Sequence, residues 1–161
     1  MRASWPSFPW QISAASRFLT TSGGLALRTS RAILGYSGFR ERSYPTQDEQ
    51  RTLIEVDVTT LDAALAPDYV ATLIKIDVEG AEREVLEGAI GTITKYRPTV
   101  IFEHGRGAAD RYGTEPRHIY ELLCIKAGLR LFDIDGNGPF SFSEMEKIYA
   151  RGALRNFFAR P

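Results

Sequence analysis

The stretch from Thr72 to Glu87, TLIKIDVEGAEREVLE, limits what this chain can fold into more than any other. Leu73, Ile74, Ile76 and Val78 form a short apolar run with β-branched residues, the pattern of a strand buried in a sheet. Gly80 stands where the chain must turn, and it brings no side chain to obstruct the turn. Ala81, Val85, Leu86, Ala89, Ile90 and Ile93 then recur at helical spacing and predict one helix with one apolar face. Glu82 and Glu84 fall in its first turn, where the helix dipole favours negative charge. Strand, turn and helix make half of a βαβ unit.

The polar residues of this stretch point to chemistry. Side chains alternate along a strand, so Lys75 and Asp77 share one face. A lysine within an apolar strand needs a partner, and the two residues form either a structural pair or part of a site. Asp77 ends the strand and Glu79 follows in the loop. Ligands of open α/β sheets bind in the crevice beyond that end. A second strand is predicted from Thr99 to Phe102, with Pro98 at an opening position where it removes no central ladder bond. Glu103 and His104 stand at its end. If the two strands are parallel neighbours, Asp77, Glu79, Glu103 and His104 converge on one crevice.

The remaining chain reads as further α/β elements. Weak strands are expected at Gln11 to Ala15 and Leu25 to Arg28, around a Gly23-Gly24 turn, and Ser37 to Gln50 reads as a polar loop. Leu53 to Val58 alternates as a half-buried strand, and Thr60 caps a short helix that Pro67 follows. Gly105-Arg106-Gly107 predicts a mobile loop. A helix over Glu115 to Ala127 has Thr114 as cap, Pro116 at the start and Gly128 at the stop. Strands at Leu129 to Ile134 and Ala153 to Ala159 flank a helix at Ser143 to Arg151, which completes a doubly wound α/β order.

Size and charge exclude several classes. The 161 residues suffice for one domain, and net charge is zero, so nothing draws the chain generally to nucleic acid or membrane. Met1 to Arg51 is uneven, with seven Arg against three acids, yet it lacks the amphipathic period of a transit peptide. No apolar run approaches the ~20 residues of a membrane span. The lone Cys124, among Leu122, Leu123 and Ile125, reads as a buried thiol rather than a nucleophile and fits a reducing, cytoplasmic compartment. His104 and His118 are far apart in sequence and are not expected to share a metal.

One motif competes. Asp133 to Glu144, DIDGNGPFSFSE, fits a calcium-loop pattern, with Asp133, Asp135, Asn137, Ser141 and Glu144 as ligands and Gly138 at the sharp turn. The segment that enters it, LRLFDI, has strand character where a calcium hand needs a helix. The expectation is no metal, with a single calcium-binding module at 133–144 as the alternative.

IKIDVEGAEREVLEGA followed by YRPTVIFEHG resembles the FkbM family of S-adenosylmethionine-dependent methyltransferases. The shared features are a Lys-x-Asp-x-Glu-Gly strand end, an acidic helix and an Arg-Pro strand ending in Glu, and the likeness extends from about Ser37 to the C-terminus. It implies a Rossmann-like class I methyltransferase sheet whose closing strand enters antiparallel, with a strand, turn and Ser-capped helix in place of the calcium hand. It also implies methyl transfer from S-adenosylmethionine to a hydroxyl of a small molecule or sugar. Asp77 would be the proton acceptor or hydroxyl anchor, and Glu79, Glu103 and His104 would position the acceptor or tune Asp77. The likeness begins after the family's donor-binding glycine turn, so the fold is expected to be incomplete at its N-terminus. Residues 1–51 would be a weakly structured segment and loop, and 52–161 the C-terminal part of the domain. A non-catalytic remnant acting through protein contacts is the rival. Titration calorimetry of this chain with S-adenosylmethionine should accordingly show no micromolar binding. A stoichiometric site, with a melting midpoint that rises with donor concentration, overturns that expectation.

Overall fold

The computed structural model describes residues 25–30, 51–56 and 58–161. The weak strand expected at Leu25 is β1 (Leu25–Ser30), and the one expected at Leu53 is β2 (Arg51–Val56). They pair antiparallel as a two-stranded sheet. The strand expected at Gln11 and the loop at Ser37 to Gln50 lie outside the described residues.

The larger sheet holds four strands: β3 (Leu73–Ile76), β4 (Thr99–Glu103), β5 (Arg130–Asp133) and β6 (Asn156–Arg160). Their order is β3-β4-β6-β5. β3 and β4 are parallel, with Ile76 opposite Phe102. β6 enters antiparallel between β4 and β5. β3 is therefore an edge among the described residues, and Leu73 is 59% exposed where a fully buried strand was expected. Only its inward residues are covered, with Ile76 and Val78 both buried.

One face of the sheet carries the core. Val100 and Phe102 of β4, Leu131 of β5 and Phe157 and Ala159 of β6 are buried there, and the Phe102 and Phe157 rings stack at 5.8 Å. Helices cover this face. The single helix expected after Gly80 is two, α2 (Glu82–Glu87) and α3 (Ile90–Tyr96). The break falls at Gly88 and Ala89, and Asp62 explains it. This residue belongs to α1 (Leu61–Ala64), and its carboxylate accepts the N–H groups of Gly91 at 2.9 Å and Thr92 at 2.8 Å. The donors freed at the start of α3 are thus satisfied by a side chain rather than by the preceding turn. The apolar face persists across the break, with Ala81, Val85, Leu86, Ala89 and Ile93 all buried. Thr60 caps α1 as expected, its hydroxyl accepting from the Ala63 N–H.

The next helical segment begins as α4 (Pro116–Tyr120) and widens into a π turn over Glu121–Lys126. Its cap is Glu115, not Thr114, which is buried instead. Gly128, in the left-handed region at φ 66°, ends the segment.

The calcium-loop pattern is built into something else. A strand, β5, enters it, and α5 (Phe142–Arg151) leaves it. Asp133 accepts the backbone N–H and the side-chain amide of Asn137, each at 2.8 Å. Glu144 accepts the N–H and O–H of Ser141, the N-cap of α5, at 2.8 and 2.7 Å. That reciprocal arrangement is a capping box. Among the described residues no helix is long and apolar enough to cross a membrane. Ser141→Ala should cost about 1 kcal/mol in urea unfolding. The same melts should not shift on adding millimolar calcium, and a shift abolished by Glu144→Gln would restore the calcium reading.

Candidate active site at the carboxyl ends of β3 and β4

The in-register parallel pair carries the ends of β3 and β4 out side by side, and the three expected acids and His104 lie on or just beyond those ends. The chain leaves β3 through two consecutive residues with positive φ, Glu79 at 57° and Gly80 at 111°. Glycine tolerates this conformation, whereas a glutamate held there is strained. Gly80 also has no room for a side chain. A Cβ there would lie 2.4 Å from the Ala108 carbonyl oxygen and 2.8 Å from the Tyr112 ring. The turn after β3 is thus clamped onto the segment after β4. That segment was expected to be a mobile loop; it passes through the Gly107 N–H bond to Asp110, 2.9 Å, into a 3-10 turn at Ala109–Tyr112.

The expected residues are distributed over both sides of the strand ends. Asp77 is exposed and bound to Lys75 Nζ at 2.9 Å, the pairing that the strand alternation anticipated. Both side chains are more than half exposed, so the pair contributes little to stability. Glu79 and Glu103 are half-buried. Alternation along β4 places Glu103 with Ile101, away from the core face, while His104 follows Val100 and Phe102 onto it. His104 is 2% exposed, and its ring stacks on Tyr149 of α5 at 4.9 Å. The register therefore sets Asp77 and Glu103 on one face just beyond the paired strand ends, with Glu79 in the turn that follows and His104 on the core face.

A small network surrounds His104. Tyr149 Oη donates to Asp110 Oδ1 at 2.5 Å. This bond and the Gly107 N–H hold the Asp110 carboxyl below its usual range, and burial together with Asp110 pushes the Tyr149 phenol up. Burial drives the His104 imidazole down from 6.5 to about 4, against an opposing pull from Asp110. The charge of His118 lowers it further. His118 is otherwise engaged, its Nδ1 accepting the Glu115 N–H at 3.1 Å. Neither ring nitrogen of His104 has a hydrogen-bond partner among the described residues. No group of three or more His, Cys, Asp or Glu among those residues could hold a metal. Burial pushes the Cys124 thiol up to about 11, which suits an inert side chain.

One residue of the site escaped the sequence reading. Glu82, expected only as a first-turn acid favoured by the helix dipole, is 2% exposed. Its Oε1 accepts the Gly80 N–H at 2.9 Å. Burial raises its carboxyl from 4.5 to about 7, opposed by the Gly80 and Glu82 backbone bonds and reinforced by Glu103 and Glu84. The signal was present in the helical spacing. Glu82 stands three and four residues before Val85 and Leu86, on the apolar face of its helix.

Open α/β sheets take their ligands in the crevice beyond the carboxyl ends of the strands. Among such proteins the assignment is specific: the methyltransferase FkbM domain model matches residues 12–131, and the chain belongs to that family. No curated protein matches the chain. A solved structure, the methyltransferase FkbM from Methylobacillus flagellatus KT, is similar at 21% identity and a TM-score of 0.37, over 65% of this chain and 23% of that one. The chain thus spans about a quarter of that protein's length. Gly80, the glycine nearest the rim, is filled by Ala108 and Tyr112. A surface groove of about 320 Å³ beside α1 and α3, lined by Asp62, Leu65, Pro67, Tyr69, Lys95 and Tyr96, contains none of the rim acids.

The buried imidazole makes a testable demand. A base whose folded pKa is depressed stabilises the fold above its unfolded value, and that stability is lost as pH falls from 6.5 towards 4. The full effect is about 3 kcal/mol. Glu82 has the opposite linkage: its stability is present below 4.5 and lost as pH rises through about 7. The two slopes overlap, so only variants separate them. Relative to His104→Phe, which keeps a stacking ring, the parent should lose melting temperature steadily between pH 6.5 and 4. Parallel curves for the two proteins would place His104 in water.

Proposed function

We propose that this chain forms the acceptor-side part of a methyltransferase that places a methyl group on a hydroxyl oxygen of a small molecule or sugar. The observation that carries the reading is the FkbM methyltransferase match over residues 12–131. S-adenosylmethionine is the donor that the family implies. The strand order β3-β4-β6-β5, with β6 reversed, suits the closing half of a class I methyltransferase sheet. The compartment that fits a protein with one half-buried, unpaired cysteine is the cytoplasm.

The roles follow from placement. A hydroxyl that gains a methyl group must give up its proton, and a carboxylate at the rim serves to accept it or to align the oxygen. Asp77 is the residue proposed for this, since it is open to an incoming acceptor and oriented by Lys75. Glu79 and Glu103, at the same strand ends, would position the acceptor's other hydroxyls. His104, neutral and buried, would act from behind by fixing the end of β4 against Tyr149.

The test measures transfer of labelled methyl from S-adenosylmethionine to a panel of sugar and small-molecule hydroxyl acceptors. The proteins are this chain alone and this chain with the donor-binding half of a family member fused upstream. Transfer is expected from the fusion. In that protein Asp77→Asn keeps the side-chain shape but cannot take a proton, and should lower turnover by about 10²–10⁴-fold with donor affinity unchanged. Turnover within about threefold of the parent would reduce Asp77 to a structural partner of Lys75. Absence of transfer from both proteins sinks the methyltransferase reading itself.

A further inference from the structure

We propose that Glu82 is a positioning residue of the rim: its carboxyl, anchored on the Gly80 amide, fixes the Glu79–Gly80 turn and couples that turn electrostatically to Glu103 at the end of the neighbouring strand.

The turn cannot hold itself. Its two residues occupy left-handed backbone conformations, one of them a glutamate, and such conformations persist only where surroundings impose them. Two contacts do so. From one side the Ala108 carbonyl and the Tyr112 ring fill the space where a Gly80 side chain would stand. From the other, Glu82 Oε1 accepts the Gly80 N–H at 2.9 Å. A side-chain oxygen thus takes a donor that the tight turn leaves with no place in the sheet ladder or the helix.

Choosing a carboxyl for this bond has a consequence that an amide or hydroxyl would not bring. Glu82 is 2% exposed, so its charge is poorly solvated, and Glu103 and Glu84 both act on it as like charges. Tyr112, on the 3-10 turn that packs against Gly80, belongs to the same neighbourhood. When the carboxyl is ionised, the Gly80 bond is charge-assisted and strong. When it is neutral, the bond weakens and the repulsion of Glu103 disappears. Glu79, presented by this turn, and Glu103, at the end of β4, are therefore not independent groups. Glu82 ties them together from within the protein, without itself facing the acceptor.

The inference rests on the methyltransferase reading only for what Glu79 positions; the coupling itself can be measured without turnover. The experiment follows the Gly80 backbone amide in a proton–nitrogen correlation spectrum of the full 161-residue chain between pH 4 and 9. In the parent, the Gly80 amide resonance should move with a midpoint near neutrality. Glu82→Gln retains an oxygen that accepts the Gly80 N–H, so that amide should stay protected from exchange but no longer titrate. Glu103→Gln removes one like charge and should lower the parent midpoint by a small, measurable step, since burial is the larger cause of the shift. Glu82→Ala should speed Gly80 amide exchange at least tenfold while the amides of β4 remain protected. A parent midpoint below pH 5, or a Gly80 titration that survives Glu82→Gln, overturns the proposal. So does a midpoint indifferent to Glu103→Gln. A chain that passes these tests while the fusion transfers no methyl group leaves the coupling standing and rejects only the function.

Discussion

The parallel pairing of β3 with β4 is the constraint on which the rest depends. With Ile76 opposite Phe102, both strands end at the same level, and the residues that follow must emerge side by side. Two consequences are forced. Asp77 and Glu103 share one face, and the turns beyond the ends collide unless one of them lacks a side chain. Gly80 meets that second demand, with the Ala108 carbonyl seated where its Cβ would be. Register, turn and site are three expressions of one alignment.

Much of this was readable before any coordinates, because strands and their ends announce themselves through short-range pattern. The β-branched run before Asp77, the Pro98 opening of β4 and the glycine stop at Gly128 each act within a few residues. The Ser141–Glu144 capping box was equally local, although a metal-ligand pattern overlay it. The reversal of β6 between β4 and β5 was anticipated only through the resemblance, since strand direction leaves no trace in alternation.

What stayed hidden was set by contacts between distant segments. Nothing near Gly88 shows that Asp62 will cap a new helix there. Nothing near His104 shows that Tyr149 will cover it or that the charge of His118 will act on it. Glu82 is the instructive case. Two readings of one residue competed, an acid favoured by the helix dipole and a side chain on the apolar face. The structure satisfies both, and the price is an unusual proton affinity. Leu73 shows the reverse error: apolar pattern predicts which residues can be buried, while burial itself depends on whether a neighbouring strand is present.

The position of β6 bears on how the molecule comes into being. It hydrogen-bonds β4 on one side and β5 on the other, yet among the described strands it is the last in sequence. Until residues 156–160 emerge, β4 and β5 have no ladder between them, and Phe102 lacks the Phe157 ring against which it stacks. Before that point the nascent chain holds a split sheet, with open edges and an unfilled core. Closing the sheet then joins segments far apart in sequence, a slow kind of closure.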